Sequence, residues 1–115
     1  MLAKRYRFHG YGSLKFLYNK GKISRARFCS LKFIDNPRRE DSRLAVVVAK
    51  KVSKKAPIRN RIRRRIYEAI RLHWPMLKPG HDMIITIFDE SVASVSPAEL
   101  NRIIVQLLTQ ADLYK

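Results

Sequence analysis

Cysteine is almost missing from this 115-residue chain. The single Cys29 excludes an internal disulfide framework and any zinc site built from several cysteines, and it suits a reducing, cytosolic setting. Glycine is scarce as well, at four residues, and none forms a nucleotide-binding glycine loop. Long apolar runs are absent. The longest, Leu44 to Ala49, is far too short to cross a bilayer. The charged opening, Met1-Leu2-Ala3-Lys4-Arg5-Tyr6-Arg7-Phe8, is not followed by the apolar core of a secretory signal. Acids are the most informative shortage: nine Asp and Glu stand against 25 Lys and Arg, a formal charge of +16. Such an excess repels itself and points to a polyanionic partner.

What is present fits one domain. A hydrophobic share of 46% is ordinary for a globular chain and argues against wholesale disorder. The charge is polarised. Residues 1–65 hold 21 of the basic residues and three acids, Asp35, Glu40 and Asp41; residues 66–115 hold four basic residues and six acids. The first 34 residues contain no acid, and Lys50 to Arg65 carries nine cations without one. A surface charged only for solubility mixes the signs, so one face is expected to meet a phosphate backbone.

The pattern yields a series of elements. Gly12-Ser13 before Leu14, Leu17 and Tyr18, with Gly21 after them, predicts a short helix over 13–20. Arg27 to Ile34 alternates loosely and reads as a strand. Residues 35–42 are a polar turn with a proline. Leu44 to Ala49 is continuous and β-branched, as in a strand covered on both faces. Pro57 opens a helix whose apolar arc is Ile58, Ile62, Ile66, Ala69 and Ile70, closed by Pro75, Pro79 and Gly80. Met83 to Phe88 is a further strand. Ser96-Pro97-Ala98-Glu99 is a capping box before Leu100, Ile103, Ile104, Leu107 and Leu108. The order helix, strands, helix, strand, helix describes a two-layer α/β arrangement.

At about 100° per residue, Arg59 and Arg63 flank one edge of the central helix's apolar arc, and Arg61 and Arg65 the other; Asn60, Arg64 and Arg71 point away. Arginine forks grip phosphate with paired hydrogen bonds, and Asn60 adds a donor and an acceptor. A basic helix serving solubility alone would carry acids for i,i+4 pairing.

Lys50-Lys51-Val52-Ser53 followed by Arg59-Asn60-Arg61-Ile62-Arg63-Arg64 resembles the Arg-Asn-Arg signature of the protein subunit of bacterial ribonuclease P. The resemblance covers nearly the whole chain, including Arg7-Phe8, Tyr18-Asn19-Lys20-Gly21, Arg43 to Lys51 and Ala111 to Tyr114. It implies an α/β (α+β) sandwich with a small mixed sheet, the order αβββαβα, and a left-handed crossover between parallel strands where pattern alone predicts a right-handed one. It also implies a cytoplasmic subunit without catalytic residues or an obligate protein partner. Its RNA partner cuts the 5′ leader from precursor tRNA with Mg2+, no ion being held by protein side chains alone. By the same resemblance Arg59, Asn60, Arg61, Arg63 and Arg64 contact the RNA subunit, with Arg63 where lysine is common. Lys50 and Lys51 match the basic pair ending the strand, and Lys54 is counted with them. Tyr18 and Leu14 lie in the cleft that takes the leader, where a ring stacks on an unpaired base. Leu14 stands where the family often has a second aromatic, and Tyr67 where it often has another arginine. The segment between Lys51 and Arg59 is one residue longer than usual.

Other residues carry weaker signals. His9 is a solvated imidazole or an RNA contact; His73 reads as an edge-of-core residue; His81-Asp82 reads as a loop feature. Phe28, Phe33 and Phe88 read as core, with one or two free to line the cleft, and Trp74 packs at the helix end. Two alternatives keep the same charge: a ribosomal protein or general RNA chaperone without a role in tRNA processing, and a stand-alone basic nuclease using histidines.

Overall fold

Leu44 to Val48 contains no polar residue because both sides of its strand are covered. In the computed structural model, which describes residues 2–7 and 11–115 but of the side chains at 11–14 nothing, Arg43–Val48 is an edge strand of one four-stranded sheet. The elements are α1 (Tyr11–Lys20), β1 (Lys22–Ala26), β2 (Cys29–Asp35), β3 (Arg43–Val48), α2 (Ala56–His73), β4 (His81–Ile87) and α3 (Pro97–Gln110). The sheet order is β1-β2-β4-β3. β1–β2 and β2–β4 are antiparallel, and β3–β4 is parallel. α2 therefore forms the crossover between two adjacent parallel strands.

One sheet face carries Leu31, Leu44, Val46, Met83, Ile85 and Ile87 into the main core with Ile62, Ile66 and Ile70 of α2 and Ile104, Leu107 and Leu108 of α3. Those three isoleucines of α2 are fully buried, each worth about 1.5–3 kcal/mol relative to exposure. On the opposite face Leu17 of α1 packs on Ala45 and Ile84. The leucine explains why β3 reads as continuous: its even-numbered residues meet α2 and Ala45 lies under α1.

The sequence expectation and the structure differ in several places. The Lys22–Ala26 strand is not legible as one, since its core-side positions are Lys22, Ser24 and Ala26. Ser24 is held instead by its hydroxyl, which donates to the Leu107 carbonyl of α3 (2.8 Å). Arg27 lies in the β1–β2 turn rather than in a strand, and Phe28 takes a positive φ of 71°. The buried arc of α2 is Ile62, Ile66 and Ile70 together with Tyr67; Ile58 and Ala69 are only half-buried. The arc is rotated toward Tyr67 because its hydroxyl accepts a hydrogen bond from the Val46 amide of β3 (3.3 Å).

Caps follow the local sequence. Ser96 Oγ accepts from the Glu99 amide (3.1 Å), while the Glu99 carboxylate takes Arg102 (2.9 Å). Gly21 ends α1 with its amide on Leu17 O (2.8 Å); a Cβ there would lie 2.6 Å from that oxygen and 3.1 Å from Phe33 O. His81 and Asp82 begin β4 rather than a loop. His81 pairs with Asp35 (2.7 Å), and Asp82 accepts from Arg43 Nε and Nη2 (2.9 and 2.8 Å) and from Asn36 (2.9 Å).

Burial pushes the Asp82 carboxyl up, but the bonds from Arg43 and Asn36 and the charges of Arg43 and Arg39 outweigh it and leave it below the ordinary aspartate value. Its ionised form therefore stabilises the fold above about pH 4, and that contribution fades as pH falls through the depressed value. Urea unfolding of Asp82→Asn is expected to show a deficit at pH 7 that shrinks below about pH 4. A pH-independent deficit would assign the effect to packing.

Candidate nucleic-acid interface

Where β3 ends, the chain turns through Val52 N to Ala49 O (3.0 Å), leaving Lys50 and Lys51 exposed. Ser53 is buried. Its Oγ accepts the Lys55 amide (3.3 Å) and its carbonyl accepts Arg59 Nη1 (2.8 Å). This segment is thus folded back on α2, with Lys54 outward and exposed. No side chain at Lys55 caps α2, so the positive end of its backbone dipole adds to these lysines.

Along α2, Asn60, Arg61 and Arg64 are exposed, and Arg59 and Arg63 are half-buried. Arg63 Nη1 donates to Asn60 Oδ1 (2.8 Å), which holds both side chains one turn apart on the same edge. Among the described residues, none of the cations from Lys50 to Arg65 makes an ion pair. The expected pairing of Arg61 with Arg65 on the second edge is divided. Arg61 is free in solvent, whereas Arg65 donates to Val92 O (2.7 Å) and Val95 O (2.6 Å). With both terminal nitrogens on backbone carbonyls, Arg65 is a structural tie rather than a phosphate ligand; burial, and then the charge of Arg61, lower its pKa from the ordinary arginine value. Tyr67 is buried. Burial raises its hydroxyl's pKa, against the pull of the Val46 bond and of Arg7 and Arg63. Positive charge still reaches its side of the helix, because the Arg7 guanidinium lies 5.5 Å from the Tyr67 ring centroid and Arg7 bridges to Leu44 beside the β3 edge.

The sheet face under α1 forms the second part of the site. Tyr18 is 38% exposed. Lys32 Nζ donates to its carbonyl (2.7 Å) and lies 5.3 Å from its ring centroid. A flat apolar ring with a cation at its face suits a base and its phosphate. Sequence reasoning misses Lys32; its one signal is a polar residue between the inward Leu31 and the partly buried Phe33. In the same turn of α1 as Tyr18, Phe16 joins Ile34, Arg38, Arg43 and Asp82 in lining an open hollow. The Leu14 side chain lies outside the described residues, as do Phe8 and His9.

The remaining candidates are structural. The buried His73 receives the Tyr114 hydroxyl at Nδ1 (3.1 Å) and donates from Nε2 to Asn101 Oδ1 (2.8 Å). His81 has a different partner, Asp35, so the two are not assembled into an acid–base pair. Phe28 and Phe33 pack on the core, as does Trp74, but Phe88 is 59% exposed. Burial pushes the Cys29 thiol up to about 12, which makes it unreactive at neutral pH. Among the described residues no three His, Cys, Asp or Glu gather as metal ligands, and no helix is long and apolar enough to cross a membrane.

The sequence model of the Ribonuclease P family matches residues 2–112. The chain belongs to the ribonuclease P protein family. It is 30% identical over 112 residues to the ribonuclease P protein component of Synechocystis, covering 97% of this chain and 90% of that one. To the component from Desulfosudis oleivorans it is 37% identical over 111 residues, covering 96% and 84%. The fold matches the RNase P protein of Staphylococcus aureus with a TM-score of 0.84 at 22% identity, over 96% of this chain and 98% of that one. It matches that of Thermotoga maritima at 0.79 and 21%, over 90% and 96%. A ribonuclease P protein works with an RNA partner in a ribonucleoprotein, which accounts for the unneutralised cations.

The division between Arg65 and its neighbours is testable. Arg65→Ala is expected to lower the unfolding free energy by about 1.5–3 kcal/mol, the worth of a hydrogen bond to a charged group. It should leave the salt dependence of RNA binding unchanged. A reduced slope with unchanged stability would move Arg65 into the interface.

Proposed function

We propose that this chain is the protein subunit of a ribonuclease P ribonucleoprotein that binds the catalytic RNA and the 5′ leader of precursor tRNA and assists removal of the leader. The observation that carries this reading is the row of cations from Lys50 to Arg64, none paired with a carboxylate among the described residues, beside a sheet face that α1 only partly covers. Lys50, Lys51 and Lys54 meet phosphates at the helix start. Arg59, Asn60, Arg61, Arg63 and Arg64 continue the contact along α2. Tyr18, with Lys32 beside its ring, takes an unpaired leader base, and the family resemblance assigns Leu14 to the same leader contact.

In this reading the protein supplies position and charge and the RNA supplies the chemistry. Guanidinium and ammonium groups lower the repulsion between two polyanions, the RNA subunit and its substrate, so the complex needs less screening by divalent ions. Mg2+ serves the RNA subunit. A cytoplasmic location fits this role. The chaperone and ribosomal readings share the charge and would also use a ring beside a lysine; membership of the ribonuclease P protein family favours the present reading over them, and a nuclease would require its histidines together.

Reconstitution with ribonuclease P RNA tests the proposal. Adding the protein is expected to raise leader cleavage at low Mg2+, with no cleavage by the protein alone; unchanged cleavage would refute it. In the same system Arg59→Ala or Arg63→Ala is expected to lower the slope of log K against log salt by roughly 0.7–0.9 for each phosphate that is no longer neutralised. A wild-type slope would leave those side chains merely solvated.

A further inference from the structure

Among the described residues, four aromatic or aliphatic side chains on or beside the sheet are more exposed than their size favours: Phe16, Tyr18, Ile23 and Phe88. Phe88, at 59% exposed, follows the last residue of β4. The strand register decides where it points. Ile84 and Ala45 face α1, and side chains alternate along a strand. Thr86 and then Phe88 continue that face of the sheet beyond Ile84. Ile84, beneath Leu17 of α1, is paired with Lys32, the residue that holds Tyr18. Four residues at about 3.3 Å each carry the backbone roughly 13 Å from Ile84 to Phe88, across the half-buried Thr86 and its partner Val47.

That end is cationic on both sides. Cys29 pairs with Ile87, so the β1–β2 turn at Arg27 and Phe28 lies beside Phe88; the Phe88 amide donates to Phe28 O (2.8 Å), and Arg27 stacks on the Phe28 ring at 4.6 Å. On the other side Val48 pairs with Ile87, which brings the Ala49-Lys50-Lys51 turn alongside. The acid next in sequence, Asp89, is engaged by the Ser91 amide (2.8 Å) and feels the charge of Arg27. An exposed ring between an arginine and two lysines, in line with a second ring on the same sheet face, is the arrangement that binds single-stranded nucleic acid.

We infer that Phe88 is a second stacking platform for the single-stranded RNA that crosses the open sheet face, placed between Tyr18 and the Lys50–Lys51 turn. The inference rests on the leader reading above. It makes Phe88 a determinant of leader affinity.

The test uses the reconstituted ribonucleoprotein and compares leader-bearing precursor tRNA with mature tRNA, with Tyr18→Ala as reference. Phe88→Ala is expected to weaken precursor binding about 5- to 10-fold, the lower part of the range for base–aromatic stacking, and to leave mature tRNA binding unchanged. Phe88→Trp restores the affinity, whereas Phe88→Leu, which keeps apolar bulk without a π-face, does not. A 2-aminopurine moved singly along the leader gains fluorescence in Phe88→Ala at a different position from that in Tyr18→Ala. If Phe88→Ala binds precursor as wild type does while Tyr18→Ala loses leader affinity, Phe88 is no platform and the leader reading stands. If neither change affects the leader, both fall. Equal losses for precursor and mature tRNA, or full rescue by leucine, also overturn the inference.

Discussion

Ile62, Ile66 and Ile70 seated on β3 and β4 are what allow the rest of the molecule to exist in this form. The helix that carries them also carries Arg59, Arg61, Arg63, Arg64 and Arg65, and the segment before it four lysines. Like charges at this density oppose compaction. Burial of the isoleucines, each worth about 1.5–3 kcal/mol, offsets that repulsion and fixes the angle at which the cations face solvent. The Tyr67 hydroxyl on the Val46 amide sets the rotation of the helix, and the rotation decides that Arg59 and Arg63 sit at the β3 edge while Arg65 turns to the Val92 and Val95 carbonyls.

The same strand serves two faces. Val46 and Val48 support α2, and Ala45 lies under Leu17 of α1. A cationic helix on one side and an aromatic-bearing sheet face on the other are therefore built from alternate residues of β3 and β4. The parallel pairing of these strands brings the start of α2 and the end of β4 to one end of the sheet. The opposite end holds Asp35, Asp82 and their partners Arg43, Asn36 and His81. Asp35 and Asp82 thus serve internal ties away from Lys50 and Lys51.

Much of the fold was legible in the residues. Pro57, the isoleucine spacing and the Ser96-Pro97 cap marked α2 and α3 because helix signals are local. The Lys22–Ala26 strand was not legible, because an edge strand whose inner positions are Lys, Ser and Ala is held by a hydrogen bond from Ser24 to another helix rather than by apolar alternation. Of the candidate site, Lys50, Lys51, Lys54, Asn60, Arg61 and Arg64 were identifiable from charge or resemblance and are exposed. Lys32 was hidden, since its meaning depends on Tyr18 lying above it. Phe88 read as core by type, and only the end of β4 explains its exposure.

By itself the sequence determined that the chain is strongly basic with its charge in the first half, that its two longer helices begin where proline and serine start them, and that it carries a motif resembling that of the ribonuclease P family. Composition and short-range periodicity are sufficient for the first two, and the spacing of a few basic residues for the third. The tertiary structure decided which arginines are free and which are tied to carbonyls, which sheet face stays open, and which rings share it. Those outcomes depend on strand register and helix rotation, set by contacts between residues distant in the chain, such as Tyr67 with Val46 and Ser24 with Leu107.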